Sequence, residues 1–439
     1  VGARLERAQL GLLAALAATI PVSIFAAEIA LTLGVALFAV RLLRHEARFT
    51  PTPLDPPLLA FAVWTLLSAS FAADPRAAHE DSKELVLFLT FYLAVGVLTR
   101  STDRERVVNA LLMGGVALAA SVAADYHLLG HDTLGRRPSG FLGHWMSSSG
   151  VIMGVLVTAA ARLALGPLRR PRPRDAWLPA ALLAGVGTVV AFERAGAGVL
   201  PTRLFVAALA AGAIAMATSG RAGARAAETT LPWIALPLTA WALVVSQTRS
   251  AWAGAVVGLA LIAVMRAPRL LWGLAAAIAV LLLARPTAVT SRLTVTDRSS
   301  IDRYYQWQAG LDMVMDRPIF GLGPGMILSS YPRYRWPEAP NPDTPHLHNN
   351  ALQIAATRGL PGLVFFAWWM LVALATAVSE ARRARGSPVE WPAVAALGAM
   401  AAILVAGVFE YNLGDSEVLM LALLLTSLPF ARQREGVFV

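Results

Sequence analysis

Apolar runs of about 17 to 25 residues recur along almost the whole chain, and each is long enough, as a helix, to cross a hydrocarbon layer of about 30 Å. Closed barrels are the other way to satisfy backbone groups in lipid, but the period-two alternation of barrel strands is missing here. The composition points the same way. Of 439 residues, 57% are hydrophobic and only 15% charged, whereas a water-soluble surface needs roughly 25% charged residues. The expected fold is therefore all-α, a polytopic integral membrane protein with the bilayer as its solvent.

The connections between the runs alternate between strongly basic and nearly neutral, which is the pattern the positive-inside rule predicts for alternating sides. Basic turns carry Arg41, Arg44 and Arg48; Arg100, Arg104 and Arg106; Arg169, Arg170, Arg172 and Arg174; Arg221 and Arg225; Arg266 and Arg269; and Arg382, Arg383 and Arg385. The end of the chain adds Arg432 and Arg434. The opposite-side connections are a turn near Pro21, then residues 74–82, 125–145, 192–202, 247–250, 285–360 and 410–417. The net charge of +10 is mostly topology. Nucleic-acid binding is not expected, because the arginines are dispersed over many turns instead of forming one face.

About fourteen apolar segments emerge, or about twelve if a weak adjacent pair is re-entrant or fused. The weakest are the two sharing residues 8–43 around Pro21 and the pair around Arg266. The first segment, preceded by Arg4 and Arg7, reads as a retained helix. Three regions follow: an N-terminal membrane bundle over 1–284, one large outer loop over 285–360, and C-terminal membrane helices with a cytoplasmic tail over 361–439. With no cysteine in the chain, disulfides, thiol catalysis and Cys-ligated metals are excluded.

The 285–360 segment is where chemistry is expected. Residues 299–316 open with serines able to cap a helix, and Ile301, Tyr304, Trp307, Leu311 and Val314 recur at helical steps, which predicts an amphipathic helix lying at the membrane interface. Arg303 and Trp307, four apart, share a face. Gly321, Gly323 and Gly325 end the helix in a turn that lacks the Gly-Lys-Ser/Thr ending of a nucleotide loop, leaving either a simple turn or a close backbone approach to a ligand. After a Pro-rich stretch, Pro345 can start a helix bearing His348, Asn349 and Leu352 in its first turns. An imidazole there can take a hydroxyl proton, or it can be structural. His346 and His348 cannot share one helical face, and a zinc site would need ligands that the neighbouring residues do not offer.

Upstream, Arg249 lies between two apolar segments on the same side as the loop. An arginine at that depth costs about 3 kcal/mol on insertion scales, so it faces a polar cavity or an anion, or snorkels to the interface. Two arginines and a histidine on one outer cavity would suit a phosphorylated lipid, whose oxygens a guanidinium clamps bidentately.

At these residues the chain resembles the O-antigen ligase superfamily, which includes O-antigen polymerases and bacterial protein O-oligosaccharyltransferases. The resemblance is carried by Thr248-Arg249-Ser250, by Arg303 to Trp307 running through Asp316 and Pro318 to the Gly321–Gly325 turn, by His346, His348, Asn349, Leu352, Gly359 and Gly362, and by Glu410-Tyr411-Asn412 to Asp415. It spans roughly residues 240–430. An earlier stretch from Arg136 to Phe141 is similar to a family loop.

The resemblance implies a C-type membrane glycosyltransferase of the bacterial inner membrane with its active site on the periplasmic side. The donor would be a polyprenyl-diphosphate-linked O-antigen and the acceptor lipid A-core, with membrane lipids as surroundings and neither metal nor nucleotide as cofactor. Arg249 and Arg303 would bind the diphosphate and His348 would act as general base. His346, Asn349, Trp307 and Arg136 complete the substrate-binding set. Within the superfamily a ligase is favoured over a polymerase, because one outer loop dominates. The alternative from another class is a transporter of the same lipid-linked glycan.

Overall fold

The computed structural model describes residues 2–167, 171–196, 198–219, 222–266, 268–292 and 298–430. Arg169, Arg170, Arg221, Arg432 and Arg434, assigned above to basic turns and the tail, lie outside the described residues. In chain order the helices are α1 (Gly2–Thr19), α2 (Ile24–Leu43), α3 (Asp55–Ser70), α4 (Pro75–Asp81), α5 (Leu89–Val97), α6 (Ser101–Leu128), α7 (Trp145–Leu165), α8 (Trp177–Arg194) and α9 (Leu200–Ser219). They continue with α10 (Ala222–Val245), α11 (Arg249–Arg266), α12 (Leu270–Ala284), α13 (Thr287–Thr290), α14 (Arg298–Asp316), α15 (Ile327–Tyr334), α16 (Asn350–Arg383), α17 (Trp391–Ala406) and α18 (Ser416–Ser427).

Among the described residues the chain is all-helical, with no named strand. Among the described residues eight helices, α2, α6 to α11 and α16, are long and apolar enough to cross a membrane, and α12, α17 and the stretch 416–430 are apolar but shorter. This is the architecture of a multi-pass membrane protein. The weak first run is a helix in its own right: the second half of α1 is buried, packed among α2, α6 and α9.

The interior is closed by small residues that let backbones approach, as membrane helices do where a hydrophobic drive between them is lacking. A Cβ on Gly254 of α11 would lie 2.5 Å from the Ala402 carbonyl of α17, and one on Gly258 would lie 2.8 Å from that of Gly398. This contact sets the position of α11, which starts at Arg249.

Where they are described, the two kinds of connection distinguished in the sequence lie at opposite ends of the bundle. At one end Arg41 bonds Gln9, and buried Arg162 lies 3.5 Å from Glu105 and 4.8 Å over the Trp391 ring. At the other end the neutral connections meet. Gln247 Nε2 donates to the Asp132 carbonyl at 2.9 Å, Ser68 donates to the Phe320 carbonyl at 2.6 Å, and Asn349 Nδ2 donates to the Val408 carbonyl at 3.0 Å.

The segment from 298 to 349 folds over that end. Its glycine-rich turn docks on α16, where the helix is interrupted: Leu322 and Gly323 donate to the carbonyls of Ala356 and Thr357 at 2.9 Å each, and Leu360 donates to Pro318 at 2.8 Å. Gly359 takes a left-handed φ of 71°, and a Cβ there would stand 1.9 Å from the Ile319 carbonyl oxygen. Of the two readings of the turn, the close approach is to the protein's own backbone. The predicted helix start at Pro345 is corrected: α16 begins at Asn350, because the Asn349 side chain accepts from the Leu352 N–H at 2.9 Å and caps it.

Candidate active site

The site is built from α11, α14 and the connections at the same end. Gln247 and His348 both hold left-handed backbone, φ 56° and 48°. Non-glycine residues in that region are uncommon and cluster where a site over-determines the chain. Each lies within two residues of Arg249 or His346, so both arms of the site leave strained positions.

Ser299 and Ser300 lie inside the first turn of α14, not before it, and their hydroxyls serve the arginines instead of capping. Arg249 Nη2 donates to Ser300 Oγ at 3.0 Å and Arg303 Nη1 to Ser299 Oγ at 3.1 Å. The buried side of α14 is Asp302, Gln306, Ala309 and Met313, while Ile301, Tyr304 and Leu311 face outward and exposed. That outward apolar face is the one an interfacial helix needs.

Arg249, Arg303 and Trp307 line one cavity of about 450 Å³ together with Thr248, Ser250, Ser300, Tyr304, Phe409 and Glu410. The Trp307 ring packs against Phe409, centroids 6.2 Å apart, in the wall of this cavity, and its Nε1 is buried with no hydrogen-bond partner.

His348 joins this cavity through Glu410. Its Nδ1 is 2.7 Å from Glu410 Oε2, while Glu410 Oε1 is bonded to Arg303 Nη2. Burial pushes the Glu410 carboxyl up, but the His348 bond and the Arg303 guanidinium outweigh it and hold the group below the usual carboxylate range. An ionised Glu410 orients the imidazole with N–H toward itself, which leaves Nε2 as the proton acceptor.

The structure places the remaining members of the expected substrate-binding set differently from one another. Arg136 is exposed in a turn, its N–H bonded to Thr133; the neighbouring Arg137 lines the cavity instead, its guanidinium 4.9 Å over the Trp145 ring. Asn349 has both ends of its amide engaged, as helix cap and as donor to Val408, so its role is to place the histidine. His346 lies beside His348, their rings meeting edge to face at 4.3 Å. It lines a smaller neighbouring pocket with Glu410, Tyr411 and Asp415, and burial, then the nearby His348, push it down to about 4.

Glu410, Arg137 and Arg292 are the site residues that sequence reasoning passed over. Glu410 stood in a quoted motif without a role. Its signal was a single carboxylate directly after the apolar pair Val408-Phe409. Arg292 lines the cavity from beyond α13 and gave no periodicity to read. His79 and Glu80 are exposed on α4, whereas Asp81 is half-buried and, with Glu84, Arg358 and Tyr411, forms the polar part of a largely apolar pocket of about 40 Å³. Among the described residues, no group of three or more His, Asp or Glu is arranged to hold a metal ion.

Residues 234–367 match the family model described as O-antigen ligase. The matched span contains Arg249, Arg303, Trp307, His346, His348 and Asn349, and excludes Arg137 and Glu410. No curated protein matches the chain.

Proposed function

From membership of the O-antigen ligase superfamily, which the match over residues 234–367 supports, we propose that the chain is a glycosyltransferase that moves O-antigen from a polyprenyl-diphosphate carrier to lipid A-core. In this reading it is a C-type enzyme of the bacterial inner membrane with its site on the periplasmic face, and the segment 285–360 carries most of the chemistry. Neither a metal nor a nucleotide is required.

The observation that carries the reading is the pair of hydrogen bonds that Glu410 accepts, one from Arg303 in the arginine-lined cavity and one from His348 Nδ1. The donor's diphosphate sits between Arg249 and Arg303, in the cavity that both line. Its apolar tail remains in the bilayer beside α11, which keeps the phosphates at headgroup depth. The acceptor hydroxyl attacks the anomeric carbon, His348 Nε2 takes the hydroxyl proton, and the bond from that carbon to the phosphate oxygen breaks with its electron pair on the diphosphate. Glu410 stabilises the imidazolium that forms, as a carboxylate does beside a catalytic imidazole.

The test is reconstitution. Purified protein is mixed with polyprenyl-diphosphate O-antigen and lipid A-core in nanodiscs, with chelator and without nucleotide. The expected result is lipopolysaccharide and free polyprenyl diphosphate in equal amounts. A donor that only changes leaflet would indicate a transporter, and growth of the donor glycan alone would indicate a polymerase; either overturns the ligase reading.

A further inference from the structure

A row of aromatic rings leads from the cavity wall onto the exposed surface of α14 and the stretch that follows α15. Tyr304 lines the cavity with Arg249 and Arg303. Its ring meets that of Tyr305 edge to face, centroids 5.3 Å apart, and Tyr305 lies 6.5 Å from Trp336, the second residue beyond α15. Tyr304 is 55% exposed and Trp336 41%, so both ends of the row offer open ring surface. Trp336 is also held in place. Its Nε1 donates to Asp312 Oδ2 at 3.1 Å, its carbonyl accepts from the Ala339 N–H at 3.1 Å, and Arg335 Nη2 donates to the Ala339 carbonyl at 3.0 Å in the same turn. An exposed tryptophan fixed through both its side chain and its backbone is a rigid surface that loses little freedom when a ligand settles on it.

Exposed aromatics near a membrane surface serve either as anchors among lipid headgroups or as contacts for a ligand. Around Trp336 the neighbours are charged, which suits the second use. Asp312 holds its N–H, and Asp316, one turn further along α14, accepts from Tyr334 and lies 3.8 Å from Arg333. Rings bordered by carboxylates and a guanidinium match the two sides of a sugar: its C–H face packs on the electron-rich face of a ring, and its hydroxyls bond to carboxylate oxygens, each of which accepts more than one bond. Resting on the glycosyl-transfer reading above, we propose that Tyr304, Tyr305 and Trp336 form a track for the donor glycan and take the sugars that follow the one on the diphosphate. The donor, not the acceptor, is the glycan that reaches this row, because Tyr304 shares a cavity wall with the arginines that hold the diphosphate. The track makes donor affinity grow with glycan length.

The experiment compares wild type with Trp336→Ala, Trp336→Phe and Tyr305→Leu in nanodiscs. It measures affinity for two polyprenyl-diphosphate donors, one bearing a single sugar and one bearing a long O-antigen, together with the KM for lipid A-core and the thermal midpoint. Wild type should bind the long donor more tightly than the short one. Trp336→Ala should weaken long-donor binding by roughly threefold to tenfold, the range of one aromatic contact, and leave single-sugar binding and the KM for lipid A-core unchanged. Trp336→Phe keeps a ring and should fall between. If Trp336→Ala does not fold, Tyr305→Leu decides, with the same selective loss expected. Equal affinity of wild type for the two donors, or undiminished long-donor affinity in the folded deciding variant, overturns the track and leaves the transferase reading standing. A loss confined to the KM for lipid A-core also overturns it, since the rings would then serve the acceptor. If wild type binds neither donor, the glycosyl-transfer reading fails and the track falls with it.

Discussion

His348 Nδ1 and Glu410 Oε2 stand 2.7 Å apart although 62 residues separate them in the chain, and the other Glu410 oxygen is bonded to Arg303, 107 residues away. One carboxylate thus ties the proposed base to the proposed donor site. Removing its charge should impair proton transfer without emptying the cavity of arginines. Glu410→Gln is expected to lower kcat by roughly 10²-fold or more, within the usual range for acid–base contributions, with a smaller change in donor KM. Steady-state transfer kinetics check this, and a near-normal kcat would reduce Glu410 to a packing role.

Guanidinium geometry, not charge alone, should carry donor recognition. Arg249 and Arg303 are each held by a serine of the first turn of α14, which fixes the planar fork toward the cavity. Lysine keeps the charge but loses the fork. Arg249→Lys and Arg303→Lys are each expected to lose most of the transfer activity, by roughly 10-fold or more, since a charge-assisted bond contributes about 1.5–3 kcal/mol. Fully active lysine variants would show that these residues only steer or orient the chain.

The helices and the placing of Arg249, Arg303 and Trp307 were legible because apolar length and three-to-four-residue periodicity are local signals. Residues four apart on a helix share a face whatever else the chain does. The register around His348 was not legible. Pro345 offered a helix start, but the Asn349 cap placed the start later and left His348 on left-handed backbone outside the helix. Arg136 was chosen over Arg137 in a turn without periodicity, where nothing local says which neighbour faces inward. Glu410 as a partner required the fold, because its bonds cross the whole last third of the chain.

His346 should give the protein a definite acid sensitivity. Burial, and then the neighbouring His348, push its imidazole from 6.5 to about 4. Between those values the unfolded chain binds a proton that the folded one refuses, so stability falls as pH drops through this window and this contribution is flat above it. His346→Gln should flatten the fall in thermal midpoint between about pH 6.5 and about pH 4.5. An unchanged slope in the variant would assign the acid sensitivity to other groups.

The most direct measurement of the central claim is single-turnover transfer by His348→Ala, with binding of the lipid-diphosphate donor measured on the same preparation. His348 sits in a connection, bonded to Glu410 and outside the helix interior, so the variant should fold and still bind donor through the arginine cavity. Donor binding should stay close to wild type while transfer falls by roughly 10²-fold to 10⁴-fold, the span expected for loss of a general base. Near-normal transfer by the alanine variant would contradict the general-base role.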